Sequence, residues 1–137
     1  MNIKNSLRVL VKDVMDSKPQ LLHEEDTILH ASSFMKEERI RNLAVVNENN
    51  KLIGLITLRE IINGLIGNPD KILVRDSMIK LVTTTEPTVH LHDAVEVMLQ
   101  NKYGCLPVVD KNNNLLGMLS EADLVKAVHK HVLIANV

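Results

Sequence analysis

Aromatic side chains are almost missing from this chain: its 137 residues include one phenylalanine, Phe34, one tyrosine, Tyr103, and no tryptophan. Proteins that hold single-stranded nucleic acid stack bases on aromatic platforms, and two separated rings supply none. A surplus of one charge is missing as well. Sixteen Lys and Arg against seventeen Asp and Glu leave a net charge of −1, whereas binding a phosphate backbone relies on clustered cations. No nucleic-acid partner is expected. No apolar run approaches the roughly 20 residues that a membrane-spanning helix needs. The opening Met1-Asn2-Ile3-Lys4-Asn5-Ser6 lacks the apolar stretch of a secretory signal. The expectation is therefore a cytoplasmic protein with no membrane partner.

Catalytic sets are missing too. With five glycines the chain has no Gly-rich phosphate loop, and no Ser/His/Asp set or paired-carboxylate set stands out, so no catalytic residue is assigned and no enzyme is expected. The lone Cys105 cannot form an internal disulfide. It precedes the apolar run Leu106-Pro107-Val108-Val109 and reads as a small buried residue, because free cysteine is usually buried and inert. The six histidines include the pairs His90-x-His92 and His129-x-His131. Positions i and i+2 do not face each other on a helix, and no Cys or carboxylate completes a tetrahedral set; these are expected to be surface histidines, with no metal. What remains, 45% apolar and 24% charged, is ordinary for a soluble globular protein.

What is present is a repeat. Residues 11–68 align with 74–131 at a constant offset of 63 without a gap. Val11, Asp13 and Met15 return as Val74, Asp76 and Met78; Leu43, Val45 and Val46 as Leu106, Val108 and Val109; Asn49, Asn50, Leu52 and Gly54 as Asn112, Asn113, Leu115 and Gly117. A unit of roughly 60 residues buries only about 60% of its unfolded surface and is marginal alone. Two units sharing one core, with a groove between them as the ligand site, are therefore expected. The divisions are an N-terminal segment 1–10, repeats 11–68 and 74–131, and a tail 132–137.

Each repeat reads as β-α-β-β-α, an α+β (mixed α/β) fold of two tandem units related by a pseudo-twofold. In the first, Val11–Met15 is a short helical turn and Leu21–His23 a strand. Asp26 or Thr27 caps a helix from Ile28 whose apolar face is Ile28, Ala31, Phe34 and Met35. Asn42–Val46 and Lys51–Thr57 form a hairpin around Asn47-Glu48-Asn49-Asn50, and Leu58–Leu65 is a helix. In the second, the strands are Val82–Thr85, Cys105–Val109 and Leu115–Leu119, and the helices Leu91–Gln100 and Glu121–His131. Met15, Met35, Met78, Met98 and Met118 read as packing residues, with Met118 also a candidate neighbour of a bound base. The acidic run Glu24-Glu25-Asp26 suits a helix N-terminus.

Gly117 begins a strand-to-helix passage with Ser120 at the helix start. A hydroxyl beside free backbone N–H groups and the positive end of the helix dipole suits a phosphate. Asp123, one turn on, faces the same way, and a carboxylate there can accept both hydroxyls of a ribose. The same spacing is also that of a capping box, and the sequence leaves both readings open.

The ordered set Val-x-Asp-x-Met, then Leu106-Pro107-Val108-Val109-Asp110, then Gly117-Met118-Leu119-Ser120-Glu121-Ala122-Asp123, echoed by Leu43-Ala44-Val45-Val46-Asn47 and Gly54 to Glu60, resembles the cystathionine-β-synthase (CBS) domain family. Two copies make a Bateman module, and the resemblance spans residues 11 to 131. It implies a regulatory module that takes an adenine nucleotide (AMP, ADP or ATP) or a related adenosyl ligand in clefts between the repeats. It also implies no obligatory cofactor, homodimers of CBS pairs, and a separate effector protein as the output. The implied second-repeat site uses Met118, Ser120 and Asp123, with Ile40 and Arg41 at the base. Asp16, Lys18, Pro19 and Gln20 close the phosphate side, and Lys18 is its cation. The implied first-repeat site uses Leu55, Thr57 and Glu60, with Tyr103 and Gly104 at the base and Ile79 and Leu81 opposite. Glu60 stands where the family has Asp, so this site is expected to be weaker or empty. The alternative is a non-catalytic dimerisation or interaction module with vestigial clefts.

Overall fold

The computed structural model describes residues 8–130. Residues 1–7 and 131–137 lie outside the described residues, and with them most of the expected N-terminal segment, His131 and the tail 132–137. In chain order the elements are α1 (Val11–Val14), β1 (Leu21–His23), α2 (Ile28–Glu38), β2 (Asn42–Val46), β3 (Leu52–Thr57), α3 (Leu58–Leu65), α4 (Val74–Ser77), α5 (Leu91–Asn101), β4 (Cys105–Val109), β5 (Leu115–Ser120) and α6 (Glu121–Val128). The fold is mixed α/β, and it divides into two units.

The units are not the sequence repeats. One consists of Gln20–Val82 together with Asn112–Leu115. Its sheet has the order β1-β2-β3, with β1 parallel to β2 and β2 antiparallel to β3. The Thr27 hydroxyl caps α2 by accepting the His30 N–H at 3.1 Å, as a helix start requires. The apolar face then buries Ile28, Ala31 and Met35 against Leu22, Leu43, Val45, Ile56 and Ile61. The last member of that core is Val74, the opening residue of the second repeat. It is tied in by Val74 N–H donating to Asp26 O at 2.7 Å and Ile28 N–H to Ile72 O at 2.9 Å.

The other unit runs up to Pro19, then Thr83–Lys111, then from Leu116 onward. Its core of Ala94, Met98, Leu106, Val108 and Leu119 takes in Val11, which opens the first repeat. Val11 N–H donates to Val89 O at 2.9 Å, the counterpart of the Val74 bond. The repeated Val-x-Asp owes its aspartate to a local cap: Asp13 accepts Leu10 N–H at 2.8 Å and Asp76 accepts Leu73 N–H at 3.3 Å.

One expected strand is absent. Val82–Thr85 contributes a single parallel bridge, Thr85 to Val108, made by Thr85 N–H to Pro107 O and Val109 N–H to Thr85 O, both 2.9 Å. In the first repeat, Leu21 pairs with Ala44, which needs the N–H of residue 44. The equivalent residue is Pro107, which has no N–H, so the ladder stops after one rung.

Among the described residues, four non-glycine residues sit in the left-handed region, in two repeat-related pairs: Arg39 and Lys102 (φ 56° and 58°), and Asn50 and Asn113 (φ 62° and 65°). Arg39 and Lys102 end α2 and α5, where glycine is the usual residue. Because a left-handed L-residue costs about 1–2 kcal/mol, Arg39→Gly and Lys102→Gly are each expected to stabilise the protein by up to about 1 kcal/mol in urea unfolding, after the entropy of glycine is set against the gain.

Cys105 is buried. Burial, and secondarily the Glu121 carboxylate, push its thiol up to about 12. Since the thiolate is the reacting form, iodoacetamide at pH 8 is expected to alkylate the native protein on the order of a thousandfold more slowly than the unfolded chain, whose thiol has a pKa near ~8.5. Rates within tenfold of each other would contradict this burial.

Candidate functional site

The passage from β5 into α6 carries the residues singled out by the sequence. Ser120 is the N-cap, in extended backbone (φ −121°, ψ 166°). Its N–H and its hydroxyl both donate to Asp123 Oδ2, at 2.8 and 2.9 Å, and Asp123 N–H donates back to Ser120 Oγ at 3.4 Å. The capping-box reading is therefore realised. It occupies one carboxylate oxygen, and Oδ1 makes no hydrogen bond among the described residues.

Beside Asp123 lies a shallow depression of about 140 Å³, lined by Asp13, Val14, Asp123, Lys126, Ala127 and Lys130. It is smaller than the ~300–1,000 Å³ of a pocket that encloses a drug-sized ligand, so within this unit it covers part of a ligand at most. Lys126 and Lys130 were not anticipated from the sequence. Their spacing of three and seven residues from Asp123 places them on its helix face, and that was the available signal.

Asp16 and Met118 exchange backbone hydrogen bonds of 2.9 and 3.0 Å, so the loop that follows α1 is held against β5. The contact is close because residue 117 is glycine: a Cβ there would stand 2.6 Å from Asp16 O and 2.9 Å from Met15 Sδ. The Asp16 carboxylate accepts Lys18 N–H at 3.0 Å, while Lys18 itself is exposed and Pro19 half-buried. Asp16, Lys18, Pro19, Met118, Ser120 and Asp123 thus share one unit, whereas Gln20, Ile40 and Arg41 belong to the other.

The first repeat has the same local plan. Leu55 and Ile79 exchange backbone bonds of 3.0 and 2.9 Å. Thr57 donates to Glu60 Oε1 from its N–H at 2.8 Å and its hydroxyl at 2.6 Å. The extra methylene of Glu60 does not push the carboxylate outward: Glu60 is only 8% exposed, folded back onto the helix start. Leu81 stands out at 95% exposure. Tyr103 and Gly104 lie in the other unit, where the Tyr103 hydroxyl accepts from Thr83 Oγ1 at 3.3 Å and Gly104 O accepts Glu121 N–H at 3.1 Å.

His90, His92 and His129 are exposed. No group of three or more metal-ligating side chains occurs among the described residues.

Known proteins share this architecture. The structure of a Vibrio cholerae protein described as an acetoin utilization protein, AcuB, superposes with a TM-score of 0.87 at 26% identity, covering 95% of this chain and 97% of that one. The CBS domain pair of protein MJ0100, solved in complex with 5′-methylthioadenosine and S-adenosyl-L-methionine, superposes with a TM-score of 0.77 at 25% identity, covering 87% of this chain and 98% of that one. In sequence, an uncharacterized protein of Methanopyrus kandleri is 30% identical over 118 residues, 84% of this chain. This chain spans 58% of that relative's length. The profile of the CBS domain matches twice, over residues 11–67 and 74–130. Matched over most of its length by two consecutive copies, the chain belongs to the CBS domain family as a tandem pair.

Proposed function

We propose that this protein is a non-catalytic, ligand-sensing regulatory module of the cytoplasm that binds an adenine nucleotide (AMP, ADP or ATP) and signals to a partner protein. The observation that carries the reading is the start of α6: Asp123 is held by Ser120 through one oxygen and keeps the other for a ribose, beside the backbone N–H groups of a helix N-terminus. The complex of the MJ0100 domain pair with two adenosine compounds supports the choice of ligand class. Thr57 and Glu60 form the weaker second site, since the Glu60 carboxylate is buried in its own cap. Ile40, Arg41 and Gln20, which belong to the other unit, enter the proposal as residues for mutational test. A homodimer of pairs is part of the same proposal, supported by the exposed apolar residues Leu58, Ile62 and Leu65 along α3, and sedimentation measures it.

The deciding experiment is a thermal-shift and calorimetry panel of AMP, ADP, ATP, S-adenosylmethionine and 5′-methylthioadenosine. A ligand that binds only the native state must raise the melting temperature. If no member of the panel produces a shift or heat, the reading fails. A second reading then holds, an interaction module with vestigial clefts, which the capping role of both carboxylates and the small depression favour.

A further inference from the structure

Asn50 and Asn113 lie far apart in the chain yet do the same unusual thing in the same unit. The tip of the second hairpin, Asn112–Leu115, is built into the unit of the first repeat, where it runs antiparallel to the first hairpin turn about a bridge between Lys51 and Asn114. Leu52 N–H donates to Asn113 O at 3.1 Å, and the Asn113 carboxamide donates to Leu52 O at 2.8 Å. Reciprocally, Leu115 N–H donates to Asn50 O at 3.0 Å, and the Asn50 carboxamide donates to Leu115 O at 3.0 Å. Each asparagine therefore satisfies both backbone groups of the other hairpin's leucine. Lys51 Nζ adds a bond to Asn112 O at 3.0 Å.

Chemistry explains why these left-handed residues are asparagine rather than glycine. A ladder partner needs a backbone acceptor and a backbone donor, but the Asn50 N–H is already committed to its own turn, donating to Asn47 O at 3.1 Å. The side-chain amide supplies the missing donor. Glycine would accept the left-handed backbone more readily and would leave the leucine carbonyl without its partner. Leu52 and Leu115 are each only 7% exposed, so an unpaired carbonyl there carries a desolvation penalty. The register of β3 also needs an anchor, because its pairing with β2 shifts by one residue between Val45 and Val46, and hairpin register is easily lost where the pairing is irregular.

We propose that Asn50 and Asn113 are a reciprocal registry latch, in which the carboxamide of each hairpin turn stands in for a backbone N–H of a β-ladder and fixes the second hairpin tip on the first. The test, on the full chain, sets the four left-handed positions Arg39, Asn50, Lys102 and Asn113 against one another. Urea unfolding is measured for Asn50→Gly, Asn113→Gly and the double variant, with Arg39→Gly and Lys102→Gly as controls whose side chains serve no ladder. Loss of the latch raises the unfolding equilibrium constant about tenfold in each asparagine variant, while the controls lower it. The double variant falls short of the product of the singles, since either loss opens the same clasp. Asparagine variants as stable as the native protein, or more stable, overturn the proposal. Amide exchange on the unmodified protein provides an independent check: Leu52 and Leu115 N–H exchange together and slowly if latched, and exchange at the rate of an open turn overturns it.

Discussion

Asp123→Ala is expected to cut by at least about half the melting-temperature rise produced by the best ligand of the adenosine panel. At a ligand concentration of about 100 times the dissociation constant, a native-state ligand adds roughly 2.7 kcal/mol, a rise of about 10 °C for a protein of this size. A hydrogen bond to a charged group is worth about 1.5–3 kcal/mol, so removing the carboxylate weakens binding about 10- to 150-fold and leaves a ligand stabilisation of about 0.3–1.4 kcal/mol at that concentration. The same substitution removes the cap of α6, because Asp123 Oδ2 holds both the N–H and the hydroxyl of Ser120. The unliganded variant should therefore also lose about 0.5–2 kcal/mol. Asp123→Asn separates the two effects, keeping an acceptor for the cap while losing the charge. Glu60→Ala serves as the repeat-related control, with a similar loss of stability and little change in ligand response. An Asp123→Ala protein that keeps the full ligand shift would end the assignment of this carboxylate to a ribose.

Gly117→Ala is expected to destabilise the protein by about 1–3 kcal/mol, the usual range for forcing atoms into filled space. The obstacle is a backbone carbonyl, Asp16 O, at 2.6 Å from the added Cβ, so no rotamer change relieves it and the Asp16–Met118 pairing must open. Two other glycines calibrate the result. At Gly54 the atom closest to an added Cβ is the Met78 thioether sulfur, an adaptable side chain, and a smaller loss is expected. At Gly67 it is the far end of Ile72, Cδ1 at 2.9 Å, and the change should be near neutral. Chemical denaturation of the three variants gives the order, and equal losses at Gly117 and Gly67 would contradict it.

Much of the secondary structure was legible because its signals are local. β2, α3 and β4 run between the residues expected for them, and Thr27 caps α2 as one of two anticipated residues. The missing strand at Val82–Thr85 has a signal in the sequence: Pro107 occupies the place of Ala44, and a proline removes one ladder donor. The latch at Asn50 and Asn113 had only a partial signal. An asparagine in a hairpin turn announces left-handed backbone, but the carboxamide's partner lies more than sixty residues away, and turn propensity carries no information about it. At Ser120 and Asp123 the sequence left two readings because cap and ligand site call for the same residues at the same spacing. The structure shows the cap formed through one oxygen, a detail of side-chain geometry that spacing alone does not determine.

The sequence by itself determined the duplication, the β-α-β-β-α plan of the first repeat and the family, because an offset of 63 between matching apolar positions and turns survives any uncertainty about packing. Tertiary structure alone decided how the duplicated pieces are shared. The opening valine of each repeat is buried in the core of the other repeat's unit, Val11 with Leu106 and Leu119, Val74 with Leu43 and Ile56. Periodicity says that such a residue must be buried, but the two repeats present nearly the same apolar surface. Which of two similar cores takes it depends on the path of the connecting chain and on long-range backbone hydrogen bonds, such as Val11 to Val89 and Val74 to Asp26, and neither is written in any local stretch of residues.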